Sequence, residues 1–126
     1  MDFKEYNILG TIINDTFGQS YETTPGNFKT VAKILGEDRF KITSMCVVNL
    51  LNRNNMQKAA KEAEEQLIKA TNEYLKKIKA DFKKMSGRAL KTKKGEHDLS
   101  VELLTMSGYS GKGTALIRTV CNFTIS

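Results

Sequence analysis

The stretch NNMQKAAKEAEEQLIKATNEYLKKIKADFKKMSG, residues 54–87, decides the fold that this sequence predicts. Apolar or small side chains recur in it every three or four residues, as they do on one face of an α-helix. They are Met56, Ala60, Ala63, Leu67, Ala70, Tyr74, Ile78, Phe82 and Met85. Asn54 or Asn55 suits a helix start, and Gly87 suits the left-handed residue that ends a helix. We therefore predict a long helix at about residues 55–86.

Strand-like runs flank this helix on both sides. Residues 28–35 and 39–51 form one predicted hairpin, and residues 99–107 and 114–126 form a second, joined by a glycine-rich segment. Residues 2–14 have apolar side chains at helical spacing, although their β-branched content is also compatible with a strand. The predicted fold is a single α+β domain in the order helix, β-hairpin, long helix, β-hairpin. Its antiparallel sheet of about four strands packs against the helices.

Size and composition indicate a globular protein. The chain has 126 residues, of which 40% are hydrophobic and 27% charged, and it is long enough to form one core. Cys46 and Cys121 lie in apolar strand-like runs, so we expect two buried thiols, no disulfide and a cytoplasmic location. The sequence has neither a signal-peptide pattern nor a stretch of about 18 apolar residues, so no membrane partner is expected.

Positive charge is concentrated in one part of the chain. The net charge is +6, yet residues 69–94 alone contain ten basic and two acidic side chains, a local net charge of +8. At 100° per residue, the lysines of the predicted helix fall on the side opposite its apolar stripe. The basic residues then continue into a predicted linker at 87–98, which we interpret as a flexible arm.

Clustered, accessible cations attract polyanions, which predicts a protein that binds nucleic acid through phosphate contacts. The candidate residues on the helix and the arm are Lys76, Lys77, Lys79, Lys83, Lys84, Arg88, Lys91, Lys93 and Lys94. In the glycine-rich segment, Tyr109 could stack on a base and Lys112 could contact a phosphate. Because the cluster is rich in lysine and poor in arginine, we expect weak sequence selectivity.

Other interpretations of the same lysines stay open. Lysines are good helix formers in solvent and stabilise the dipole at a helix C-terminus, which fits a structural or interaction protein that oligomerises through the long helix. An acidic protein, an anionic membrane surface, or a small ligand at a subunit interface near Tyr109 and Lys112 are further alternatives. A helix of about 48 Å would extend past a body roughly 36 Å across, which favours a homo-oligomer.

The chain lacks a recognisable catalytic constellation. His97 is the only histidine and lies in the polar segment GEHD, where we expect a surface position; one histidine cannot form a two-histidine metal site. The loop at 108–114 lacks the spacing of a phosphate-binding loop. We therefore expect no enzymatic activity, no cofactor and no metal site.

Overall fold

A computed structural model describes residues 2–16, 29–106 and 112–126 of the chain. The elements are α1 (Phe3–Thr16), β1 (Lys29–Gly36), β2 (Arg39–Leu50), α2 (Met56–Ser86), β3 (Thr92–Met106) and β4 (Gly113–Ile125). The predicted α+β class and the order helix, hairpin, long helix, hairpin are confirmed. The ambiguity at residues 2–14 is settled in favour of a helix, whose first turn is stabilised by Asp2 Oδ1 accepting the Glu5 backbone N–H at 2.8 Å.

The four strands form one antiparallel sheet in the order β1-β2-β4-β3. The two hairpins are joined through their second strands, and the β2–β4 ladder extends from Arg39 opposite Thr124 to Leu50 opposite Gly113. Near one end of this ladder the rings of Phe40 and Phe123 stack, with their centroids 5.3 Å apart. Along β4 the odd-numbered residues from Ala115 to Phe123 are buried and the even-numbered ones are more exposed. One face of the sheet is therefore covered.

Both helices pack on that covered face and divide the core into two apolar clusters. The larger cluster lies where α1 packs against the second half of α2. It contains Leu9, Ile12, Ile13, Ala32, Phe40, Ile42, Tyr74, Ile78, Phe82, Leu90, Cys121 and Phe123. The smaller cluster lies under the first half of α2 and contains Cys46, Ala60, Ala63, Leu67 and Ile117. The predicted burial of both cysteines is confirmed, and both thiols are free.

A row of buried hydroxyl groups separates the two apolar clusters. The Ser44 hydroxyl lies 3.2 Å from that of Thr30 on β1 and 2.7 Å from that of Thr71 on α2. The Thr119 hydroxyl donates to the Ser44 carbonyl oxygen at 3.5 Å. These four side chains are almost fully buried, so each needs a partner to offset the loss of water. Because the Ser44–Thr71 bond forms at one helix position only, it aligns α2 along the sheet.

The bounds of α2 follow the prediction at both ends, but among the described residues a side-chain capping bond forms at neither Asn54 nor Asn55. Gly87 has a φ of 75° and its backbone N–H donates to the Lys83 carbonyl, which confirms the predicted left-handed termination. At the start, a 3₁₀ turn (Arg53–Asn55) precedes the helix, and Asn55 makes no side-chain cap bond. No helix in the described ranges combines the length and the apolar character that crossing a membrane requires.

The predicted basic linker at 87–98 is wrong over most of its length. Strand β3 already begins at Thr92, and Lys93 and Lys94 pair with Thr124 and Phe123 of β4. The preceding residues are also held, since Leu90 is buried and the Lys91 carbonyl accepts a hydrogen bond from Ser126. β3 is an edge strand, and its exposed side chains do not need the alternating apolar pattern by which strands are recognised.

The predicted overhang of the long helix is also wrong. At about 3.3 Å per residue the 15 residues of β3 span about 50 Å, as far as the 31 residues of α2 at about 1.5 Å each. Phe82, near the helix end, is buried within its own chain, and Met85 is the one residue of the apolar stripe that is exposed, at 53%. The length of α2 therefore provides no reason for a partner.

We predict that Ser44→Ala lowers the free energy of unfolding by about 2 kcal/mol, because the hydroxyls of Thr30 and Thr71 lose their partner in a buried site. Urea denaturation followed by circular dichroism measures this change. In the matched control, Thr30→Val and Thr71→Val are added to Ser44→Ala, and much of the lost stability returns because no buried hydroxyl is left unpaired. If the Ser44→Ala variant is as stable as the unmodified protein, the proposed role of the hydroxyl row is contradicted.

Candidate nucleic-acid interface

The second half of α2 presents a basic surface to solvent. Its apolar side chains Tyr74, Ile78 and Phe82 are buried against the sheet and α1, which turns the opposite side of the helix outward. We call the lysines on that side the helix cationic surface. They are Lys76, Lys77, Lys79, Lys83 and Lys84, of which Lys77 and Lys79 are half-buried and the others exposed. All five predicted helix residues therefore lie on one accessible side of α2.

Little negative charge neutralises this surface. Within the described ranges, none of the ion pairs involves Lys76, Lys79, Lys83 or Lys84. The first half of α2 contains Glu62, Glu64 and Glu65 among three lysines, whereas the second half has five lysines and two acidic residues, Glu73 and Asp81. The helix therefore has a mixed-charge half and a basic half, and the basic half adjoins the end of the domain where Phe40 and Phe123 lie.

Arg88 has a structural partner, which the sequence did not predict. Its Nη1 donates to Glu5 Oε1 at 2.8 Å and ties the segment after α2 to α1. A cleft of about 360 Å³ beside this pair is lined by Asp2 and Glu5 as well as by Arg88 and Lys91. Because acidic groups line the cleft together with basic ones, it is not suited to bind an anion, and Arg88 is a weaker candidate than the helix lysines.

The remaining candidates are not brought together with the helix cationic surface. Lys93 pairs with Thr124 and lies on the face of the sheet away from the helices, whereas Lys94 pairs with Phe123 on the helix-covered face. Lys112 is exposed at the start of β4, about 40 Å along that strand from the end nearest Lys83 and Lys84. Tyr109 lies outside the described residues. The predicted continuous surface from helix to arm is therefore reduced to its helical part.

His97 occupies a different environment from the predicted polar turn. It lies in β3 with its side chain 23% exposed, and its Nε2 is 3.6 Å from Glu64 Oε1 on α2. This distance is too long for a hydrogen bond, and the buried nitrogen has no hydrogen-bond partner among the described residues. No group of three or more histidine, cysteine, aspartate or glutamate side chains in the described part of the chain could hold a metal ion.

The sheet has a second accessible surface, which the sequence did not predict. We call the sheet face turned away from the helices the open sheet face; its central residues are Val31, Met45, Val47, Leu116, Arg118 and Val120. The alternation of Lys29, Val31 and Lys33 in the sequence was a signal for such a face. Which residues of the other strands lie beside them depends on the strand register, which the sequence does not reveal.

Comparisons with protein-family models, with curated proteins and with solved structures found no significant match to this chain.

The two cysteines are too well buried to serve as reactive groups. Burial raises the pKa of Cys46 above its ordinary value, and burial also raises the pKa of Cys121, against a smaller lowering by the charge of Lys94. A raised pKa disfavours the thiolate, which is the nucleophilic form. The two neutral thiols therefore stabilise the fold when the pH is below their ordinary pKa. This contribution is lost as the pH rises through their raised pKa values in the folded protein.

We predict that an aromatic disulfide reagent at about pH 8 reacts with both thiols far more slowly in the folded protein than in denaturant, because access and thiolate formation are both restricted. The release of the coloured leaving group, followed by absorbance, measures both rates. The denatured protein is the control and should release two equivalents at once. Rapid reaction of either thiol in the folded protein would contradict the burial described above.

Proposed function

We propose that this chain is a non-enzymatic protein that binds nucleic acid through the phosphate backbone, using the helix cationic surface. The proposal depends on one observation: at least four lysines lie on one accessible side of α2 without a carboxylate partner among the described residues. A cytoplasmic location belongs to the same proposal. It is supported by two buried free thiols, which fit a reducing compartment.

The spacing of the lysines suits a row of phosphates. From Lys76 to Lys84 the helix rises about 12 Å, a distance over which duplex DNA has about seven phosphates. Four lysines can therefore each contact a different phosphate without bending the helix. Lysine ammonium groups are point charges that do not read base edges in a bidentate manner, so the proposed binding has little sequence selectivity.

The competing interpretation explains only part of the pattern. Lys83 and Lys84 lie in the last turn of α2, where cations stabilise the helix dipole. That effect falls off within one turn and contributes at most about 1 kcal/mol at an exposed site. It does not account for Lys76 and Lys79, one to two turns further from the end, and the observed cluster therefore favours an external anion.

We expect the affinity for a labelled DNA duplex of about 20 base pairs to fall with salt, with a log–log slope near −4 for about four phosphate contacts. Fluorescence anisotropy between about 50 mM and about 300 mM salt measures this slope. Lys76→Gln combined with Lys83→Gln should weaken binding and flatten the slope by about two, since each phosphate contact contributes about one. A single-stranded RNA of equal length, measured in parallel, distinguishes the type of nucleic acid.

The same helix offers a matched control. Lys58→Gln combined with Lys69→Gln removes two lysines from the same solvent-facing side, but in the half of α2 where glutamates are interspersed. This variant has the same net charge as the test variant and should bind nearly as well as the unmodified protein. Equal losses in both variants would show a general charge effect. Absence of binding at the lowest salt would rule the proposal out.

A further inference from the structure

The open sheet face has an aliphatic centre that no described element covers. Val31, Met45, Leu116 and Val120 are half-buried, and Val47 is 38% exposed. The strand register makes them neighbours, because Val47 lies opposite Leu116, and Thr43 lies between Val31 and Val120. A contiguous aliphatic strip in the middle of a sheet face, with charged residues around it, is typical of a protein-binding surface.

Charge on this face is separated between its two edges. On the β1 side, Lys33 lies directly opposite Lys41, and Lys29 lies two rows further along, beyond Val31. Like charges directly opposite each other across two strands destabilise a sheet. On the β3 side, the same face presents Asp98 opposite Val120 and Glu102 opposite Leu116, while Lys93 lies opposite Thr124 at the end of the sheet. The β1 edge therefore has lysines without carboxylate partners among the described residues, and the β3 edge has carboxylates of the opposite charge.

We propose that the open sheet face binds a second copy of the chain, with the two sheets packed face to face about a twofold axis parallel to the strands. This axis places β1 of one copy over β3 of its partner and brings the aliphatic strips together. Asp98 lies in the same row as Val31, so in the dimer it faces the interval between Lys29 and Lys33 of the other copy. Because of the twofold symmetry, this contact between Asp98 and the two lysines occurs twice, once at each edge of the dimer interface.

The size of the face is sufficient for a specific dimer. Four strands about 4.8 Å apart and about nine residues long give a face of about 600 Å² per copy. The total of about 1,200 Å² is at the lower end of the range for stable protein interfaces. The central Arg118 has no ion-pair partner in its own described chain, but Asp98 and Glu102 are its diagonal neighbours and can neutralise it in the interface.

A nucleic acid fits this face less well than a second copy does. Binding of unpaired bases relies on aromatic side chains for stacking, and the described residues of the open sheet face include none. Its acidic edge would also repel phosphates. The dimer does not depend on the nucleic-acid proposal, because the helix cationic surface lies on the opposite side of the domain.

Sedimentation equilibrium of the purified chain, with nucleic acid removed, tests the dimer. We expect a mass near twice 14.1 kDa at about 100 µM chain and dissociation on dilution. Lys29→Glu combined with Lys33→Glu should raise the dissociation constant at least about tenfold, and so should Asp98→Lys combined with Glu102→Lys. An equimolar mixture of these two variants should form a mixed dimer, because both edge contacts again join opposite charges.

Control variants separate this surface from the others. Lys76→Glu combined with Lys83→Glu makes the same charge change on α2 and should leave the dimer intact. Val47→Lys introduces a charge into the aliphatic strip and should abolish it, while thermal unfolding confirms that each variant is folded. A monomeric unmodified chain overturns the proposal, and so does a dimer that survives both edge variants and Val47→Lys. Salt-dependent DNA binding by a monomer would leave the proposed function standing and remove only the dimer.

Discussion

The packing of the apolar stripe of α2 on one face of the sheet is the constraint on which the rest of this structure depends. Leu67, Tyr74, Ile78 and Phe82 are buried in that contact, and the hydrogen bond between Ser44 and Thr71 aligns the helix along the strands. Burial of each large apolar side chain contributes about 2 kcal/mol, so apolar contact supplies the energy. The buried hydroxyls align α2 with the sheet, since they find hydrogen-bond partners at only one position of the helix along the strands.

Two surfaces with different chemistry result from that contact. Because the stripe faces the sheet, the lysines of the second half of α2 face solvent on one side of the domain. Because both helices occupy the same face, the opposite face of the sheet has no described cover, and its aliphatic centre stays accessible. The two proposals are therefore geometrically compatible. A dimer through the sheets would leave both α2 helices on the outer sides, free to contact a polyanion.

The predictions that relied on local periodicity were confirmed, as was the packing of the sheet against the helices, whereas the overhang of α2 and the flexible arm were wrong. The period of about 3.6 in α2 and the strand-like runs of β1, β2 and β4 located the elements. β3 began earlier than expected because Lys93 and Lys94 lie in an edge strand, whose pairing is visible only beside β4. Of the candidate site, the five helix lysines followed from the helical period. The pairing of Arg88 with Glu5, 83 residues away, could not be foreseen.

By itself the sequence determined the α+β class, the extent of α2, the burial of both cysteines and the clustering of positive charge, since each depends on residues close together in the chain. Only the tertiary structure decided that Thr71 belongs to the core, that β3 is as long as α2, and that one sheet face is open. These features depend on which distant segments meet and in which register. A one-residue shift in strand pairing would exchange the two faces of the sheet, and local patterns do not specify that choice across separate hairpins.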